Sequence, residues 1–440
     1  MGLSAGRRHR GQPAAGWSEL PPALPRETVV IELPPERREG LRLVGHAESG
    51  RPVHRREYVV QLVRRARHVR ADSPRSGGDT APAPRVAVCV APDSDRCRHD
   101  LSVIVHVIAA RLRLHLPLHR QSAALARMGV RHGRSAMCGH FARVSEALRP
   151  PHGHMVSLIL AGPVPHADET SVGMLPSEEE GRAVTCRIRV RRTGLGPPMT
   201  AFHFSRDRSM GTARAILGDC HGTVIRDGRA GHGGLPADVA GRRAHCRRRF
   251  VEARGSHPEL ADRAIAPIRG LHAIKAAARA EAEARADGAG SALTKARRRH
   301  RRGAVPLADE CFAHCRAVTA GRPPSSSVAR AAAHSPDREA ELRRHLADPR
   351  LNIDSSPCGN VIRPLCLGRR NWLFVGSGGG GVPMAVLAGL AATCRENGVD
   401  FGEWMPDVLP RPDTHPAARI GEPLPHEWRA RRDAPAEPAG

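Results

Sequence analysis

The chain is poor in aromatic residues, in lysine, in long apolar runs and, over its first quarter, in cysteine. Seven Phe, four Trp and one Tyr leave little bulky material for a core, while 44 Gly and 38 Pro add chain breaks. That balance predicts modest stability in a chain of 440 residues, long enough for two or three domains. The longest apolar stretches, near Leu101–Leu112 and Gly381–Ala392, fall short of the ~18 residues a bilayer crossing requires, so no membrane partner is expected. No apolar core follows the basic N-terminus, so no secretory leader is read and a cytoplasmic protein is expected. Eleven Cys, an odd number without regular spacing, fit reduced thiols in such a compartment. Cys311 and Cys315 bracket His314, but this isolated trio is read as ordinary thiols rather than as a tetrahedral metal set.

What is abundant is positive charge. With 69 Lys and Arg against 44 Asp and Glu, the net charge is +25, and the natural partner for that excess is a polyanion. A basic surface gains affinity for nucleic acid by releasing counterions from phosphates. Only Lys275 and Lys295 of those cations are lysine, so GC-rich coding also accounts for the excess, and charge alone locates no binding face.

The order of local patterns suggests an α/β chain. Residues 1–26 are rich in Gly, Pro and Arg and read as disordered. A strand is expected over Arg26–Pro34, strand-like pieces follow to about residue 84, such as Glu57–Val69, and Ser73–Pro84 reads as a linker. From Leu101 to Pro150 the spacing is helical, with one helix over Leu118–Met128 stopped by Gly129 and another over Ser135–Leu148. Such a pair suits a helix-turn-helix whose second helix enters a major groove, or simply two packing helices. Strands are expected at Val184–Val190 and Met199–Phe204, a short helix at Thr212–Leu217, and a further strand carrying Asp227. Residues 253–345 have helical spacing, interrupted by a basic low-complexity stretch, Gly288–Arg302, that is expected to be mobile. Trp372–Gly381 fits a strand followed by G-x-G-x-x-G, with Asp400 about 20 residues on, as a dinucleotide site asks. Gly402, Pro406 and Pro410 then fall where its second parallel strand would run.

Longer motifs carry a more specific signal. Ile353-Asp354-Ser355-Ser356-Pro357-Cys358-Gly359-Asn360-Val361-Ile362-Arg363-Pro364, then Leu367-Gly368-Arg369-Arg370-Asn371-Trp372-Leu373-Phe374-Val375-Gly376-Ser377, resembles the catalytic tail of insertion-sequence-66 transposases. That tail reads I-D-N-N-x-x-E-R-x-(I/L)-R-P and L-G-R-K-N-W-L-F-A-G-S. Leu116–Gln121 resembles the family's H-L-P-L-Y-R-Q, His166-Ala167-Asp168-Glu169-Thr170 matches H-A-D-E-T, and Gly222–Gly231 resembles G-x-L-Q-x-D-G-Y-A-G. Ala244–Glu252 resembles the C-W-A-H-x-R-R-x-F helix, and Arg395–Pro425 the C-terminal segment, so the likeness covers about residues 20–430.

The resemblance implies a ribonuclease-H-like catalytic core with a helical insertion and helical flanks. Its divisions would be a degraded N-terminal region at 1–84, a helical DNA-binding-like region at 85–150, the core at 151–380 with its insertion at about 253–345, and a C-terminal helical segment at 381–440. It implies Mg²⁺-dependent cutting and joining of DNA, with Asp168 and Asp227 as metal-holding catalytic acids and DNA contacts from His245, Arg247, Arg248, Arg363, Arg369 and Arg370. DNA is the implied partner, with a homo-oligomer on the element ends. The third catalytic acid is replaced by Gly359. No Cys precedes Cys89, so the family's N-terminal zinc module cannot be assembled from paired cysteines and no zinc is expected there. His119, His232, Arg242, Arg243, Ser355, Ser356 and Gly359 each differ from the family motif by one transition toward GC, the pattern of a decaying gene. Three functions follow as expectations: an impaired transposase, a non-catalytic DNA-binding descendant of one, or a nucleotide-binding enzyme using the loop Gly376–Gly381.

Overall fold

The computed structural model describes residues 25–32, 41–54, 58–70, 87–88, 99–176, 181–207, 209–218, 220–226, 238–241, 243–284, 289–333, 335–353, 356–376, 378–411 and 415–434. The chain divides into two compact units, residues 1–110 with 117–138 and residues 111–116 with 139–440. Among the described residues no helix is long and apolar enough to cross a membrane.

In the first unit, β1 (Arg26–Ile31), β2 (Leu41–His54), β3 (Tyr58–Arg70) and β4 (Ala87–Val88) form one sheet. β1 lies parallel to β3 and β2 antiparallel to it, giving the order β1-β3-β2 with β4 on β3. The strands expected near 26–34 and 57–69 are therefore present. The segment expected to be disordered at 1–26, apart from residues 25 and 26, and the linker at 73–84 lie outside the described residues. α1 (Leu101–Arg113) and α3 (Arg134–Ala147) have residues in both units, and α2 (Leu118–Arg127) belongs to the first. α2 stops where the sequence asks: Gly129 takes φ +79°, and the Val130 N–H donates back to the Leu125 carbonyl at 2.9 Å.

The second unit is built on a five-stranded sheet. It contains α4 (Arg149–Ala161), β5 (Pro165–Met174), β6 (Val184–Thr193), β7 (Thr200–Ser205), α5 (Met210–Leu217), β8 (Val224–Arg226) and β9 (Val239–Gly241). The strand order is β7-β6-β5-β8-β9, antiparallel from β7 to β5 and parallel from β5 to β9. Five helices follow the sheet: α6 (Arg243–Ala253), α7 (Pro258–Ala284), α8 (Ala289–Gly321), α9 (Ser327–Ala333) and α10 (Glu339–Ala347), the last four spanning most of the insertion expected at about 253–345. The chain returns to the sheet with α11 (Ser356–Trp372) and α12 (Gly378–Glu396), then ends in α13 (Phe401–Val408) and α14 (Pro425–Asp433).

The insertion packs along a seam of small residues. Ala264 and Ile268 of α7 meet Cys311, Cys315 and Val318 of α8, together with Cys246, Phe250 and Ala253 of α6. The basic stretch within α8 is helical where it is described. Residues 289–302 are regular helix in the first half of α8, with Ala292 and Ala296 buried. Alanine at helical spacing supplies a packing stripe that the run of arginines between hides from a reading of composition.

Alternation along β6 decides what each sheet face carries. Cys186, Ile188 and Val190 face α11 and α12, on the side where a Cβ at Gly381 of α12 would lie 2.5 Å from the Phe204 ring. The opposite side packs under α4 and α5, where Ala167 joins Leu160, Ile216 and Leu217. Arg189 and Arg191 point to that second side and are only 5% and 7% exposed. Alternating arginine predicts a solvated face, but here helices cover both faces of the strand.

Arg191 donates to the Ile216 carbonyl at 2.7 Å and has no carboxylate partner among the described residues, and burial lowers its pKa to about 10. A buried cation of this kind opposes folding. Arg191→Met is therefore expected to stabilise the protein by about 1–2 kcal/mol after the lost bond to Ile216 is counted. Thermal melting checks it, and a lower melting temperature would show that the guanidinium contributes more than its burial costs.

The same arginine sets an acid sensitivity. His152 of α4 and His203 of β7 have pKa values lowered to about 4, first by burial and next by Arg191. Both stay neutral in the folded protein while the unfolded chain takes up protons below about pH 6.5. The unfolded state then binds more protons, so stability falls as pH drops from about 6.5 toward 4. His152 alone accounts for about 3 kcal/mol across that window, and the more exposed His203 for less. Urea midpoints measured from pH 7 to pH 4.5 should fall steadily, and should fall less in His152→Gln.

Candidate functional site

α11 is fastened along β5, and the fastening fixes what its N-terminal end can reach. Arg369 donates through Nη1 to Thr170 Oγ1 at 3.0 Å and to the Ser171 carbonyl, and Cys366 Sγ lies 3.4 Å from Thr170 Oγ1. Beyond the helix, Phe374 bridges to Gly173 in the parallel sense. Helix and strand thus advance together, residue 366 beside 170 and residue 374 beside 173.

Position 359 follows from these anchors. It lies seven residues before Cys366, two turns back on nearly the same helix face and about 10 Å along the axis. Three residues of strand span the same ~10 Å, so the counterpart on β5 is near Ala167 and Asp168. Asp168 also shares the Thr170 side of the strand, because alternate residues face one way. α11 thus runs along β5 from the anchors at Cys366 and Arg369, with Pro364 lying inside it between those anchors and position 359. The residue present is glycine, and a Cβ built on it would meet nothing within 4 Å.

The first of the expected acids lies among the described residues. Asp168 is half-buried on the central strand and accepts the Glu169 N–H at 2.9 Å through Oδ1. Glu169 points to the opposite face, with a carboxylate oxygen 3.6 Å from Arg189 Nε. β8 runs parallel to β5 in the register His166 opposite Ile225, and its described part ends at Arg226. Asp168 stands two positions beyond His166 in the sequence, and Asp227 two beyond Ile225. Asp227 itself, like Asp354, lies outside the described residues.

The basic candidates separate by exposure. On α6, Cys246, Phe250 and Ala253 turn inward, which leaves Arg247 and Arg248 exposed; the His245 side chain lies outside the described residues. Arg363 and Arg370 of α11 are exposed, whereas Arg369 is half-buried and holds β5. Sequence reasoning read Arg369 only as a phosphate contact. Its alignment with Cys366, one turn back, was the available signal for a packing role.

The glycines after Trp372 bring α12 close to the sheet. Gly381 backs onto Phe204, and a Cβ at Gly389 would come within 3.0 Å of the Thr200 carbonyl. Asp400 caps α13 by accepting the Gly402 N–H and also pairs with Arg113, and Phe401–Val408 is helical where a dinucleotide fold would place a strand.

Residues 96–382 match the protein family described as Transposase IS66 family. Three proteins of Sinorhizobium fredii (strain NBRC 101917 / NGR234), each described as an uncharacterized protein, are similar to the chain. With y4hP it is 27% identical over 348 residues, 74% of this chain and 62% of that protein. With y4qI the figures are 28% over 354 residues, 76% and 63%, and with y4jD 26% over 435 residues, 92% and 80%. The chain thus spans less than two thirds of the length of y4hP and y4qI.

Proposed function

This chain belongs to the IS66 family of transposases, and from that premise we propose that it is a DNA-binding transposase whose strand-cutting site has lost its third acid. The topology supports a ribonuclease-H-like core: three antiparallel strands, a helix, then two strands parallel to the central one. A pair of divalent ions, Mg²⁺ in this proposal, would supply such a core with Lewis-acid activation of the attacking oxygen and charge stabilisation of the leaving one when bound. Hard cations of this kind take carboxylate oxygens, which Asp168 and Asp227 would supply.

The donor set does not fit the pair in full. What carries the proposal is the sequence at position 359, glycine where the family motif has its third acid, on the helix whose Cys366 and Arg369 touch Thr170 of β5. We therefore derive no metal-dependent step from these residues. DNA contact is assigned to Arg247, Arg248, Arg363 and Arg370, with His245 on the same helix as Arg247, and to the overall charge of +25. Arg369 serves the proposal indirectly, by holding α11 in register with β5.

The test is to incubate the full chain with supercoiled DNA and Mg²⁺. DNA that is bound but left uncut agrees with the proposal. DNA that is neither bound nor cut by a folded sample removes the DNA role altogether.

A further inference from the structure

A second concave site lies against another flank of α11. It is a cleft of about 500 Å³ bordered by Trp372, Phe202 and Phe401 and by the cationic side chains Arg111, Arg113 and Arg395. Its size is in the ordinary range for a small-molecule pocket. We propose that this cleft binds a nucleotide, with the base against its aromatic wall and the phosphate among its arginines. The proposal goes beyond the DNA-cutting site and does not depend on it.

Charge and shape select this ligand class. Three arginines border the cleft against the single carboxylate of Asp400, which already pairs with Arg113. Arg395 has no ion-pair partner among the described residues, so the uncompensated charge calls for an anion. Guanidinium groups match phosphate oxygens in geometry as well as in charge. His115 adds no cation near neutral pH, because burial and then Arg395 lower its pKa.

The aromatic part of the lining asks for a flat ring. Arg111 lies 5.2 Å from the Trp372 ring centre, so a guanidinium and an indole already border the same space. Trp372 is 8% exposed, and its Nε1–H is buried without a hydrogen-bond acceptor. Phe202 and Phe401 border the cleft beside Trp372, so its lining offers aromatic surface to a flat ring while the arginines supply the charge that a purely hydrocarbon ring would leave unmatched.

Backbone strain collects at the same place. Among the described residues two non-glycine positions have positive φ, His115 at 58° and Leu373 at 57°. His115 borders the cleft and Leu373 directly follows Trp372. Strained residues of this kind concentrate at binding sites.

Two sources share this chemistry, a free mononucleotide and an unpaired nucleotide of a DNA strand. The full chain is titrated with deoxyadenosine monophosphate, with deoxyadenosine and with inorganic phosphate, followed by tryptophan fluorescence. In parallel, a blunt duplex is compared with the same duplex bearing a single-stranded overhang. The expected result is that either the monophosphate binds more tightly than its two fragments, or the overhang binds more tightly than the blunt end. Arg395→Gln should then remove about 10- to 100-fold of that binding and leave blunt-duplex affinity in place. Trp372→Leu removes the aromatic face that borders the cleft and should weaken the same ligand; circular dichroism checks that both variants fold. A response to the monophosphate assigns the free source, and an overhang preference without it assigns the strand. If neither ligand is preferred, or if the binding is indifferent to both variants, the proposal is overturned while blunt-duplex binding still stands on its own.

Discussion

The unmodified chain is expected to show no Mg²⁺-dependent strand cleavage, and Gly359→Glu is expected to be necessary for any recovery. Losing even an outer partner of a metal ligand commonly lowers metal affinity or activity about 10- to 100-fold, so losing a direct ligand should lower it at least as much. The substitution itself is well accommodated. A Cβ at 359 meets nothing within 4 Å, and the position lies in the first turn of α11, where an acidic side chain suits the helix dipole. Replacing a helical glycine should also stabilise the helix by about 0.5–1 kcal/mol. Failure to recover cleavage would therefore point to other lost positions, such as the residues altered at 242 and 243, rather than to misfolding. Cleavage by the unmodified chain, abolished by Asp168→Ala and by Asp227→Ala, would mean that another residue supplies the third ligand and that the site is intact.

Duplex DNA binding is expected to be strongly salt-dependent and weakly selective. If about six phosphates are contacted, affinity should fall about 10³-fold between 50 and 200 mM salt. Replacing the exposed Arg247 and Arg248 together should reduce the slope of log affinity against log salt by about two. A slope near zero would show that the charge of +25 is compositional and does not meet phosphate.

The sheet was legible where alternation and turn residues coincide. Val184–Val190 and Met199–Phe204 announced β6 and β7, and Gly129 marked the end of α2. Arg189 and Arg191 were not legible as buried, because alternation reports a pleat and is silent on what covers each face. The first half of α8 was hidden by its arginines, although its alanines kept helical spacing. Asp168 and the glycine at 359 were legible from motifs, but the fastening of α11 to β5 depends on contacts between residues almost 200 positions apart, Thr170 with Cys366 and Arg369. The cleft at Trp372 had no local signal at all, since its walls come from segments between Arg111 and Phe401.

The clamp of Arg369 on β5 also makes the site a matter of rotational phase. Each residue inserted or deleted between 359 and 366 would swing position 359 by about 100° around the α11 axis relative to Cys366 and Arg369. Substitutions leave that phase untouched. The run Gly359–Pro364 has the same length as the matching part of the family motif despite its exchanged residues, so the glycine stands in register with the acid it replaces.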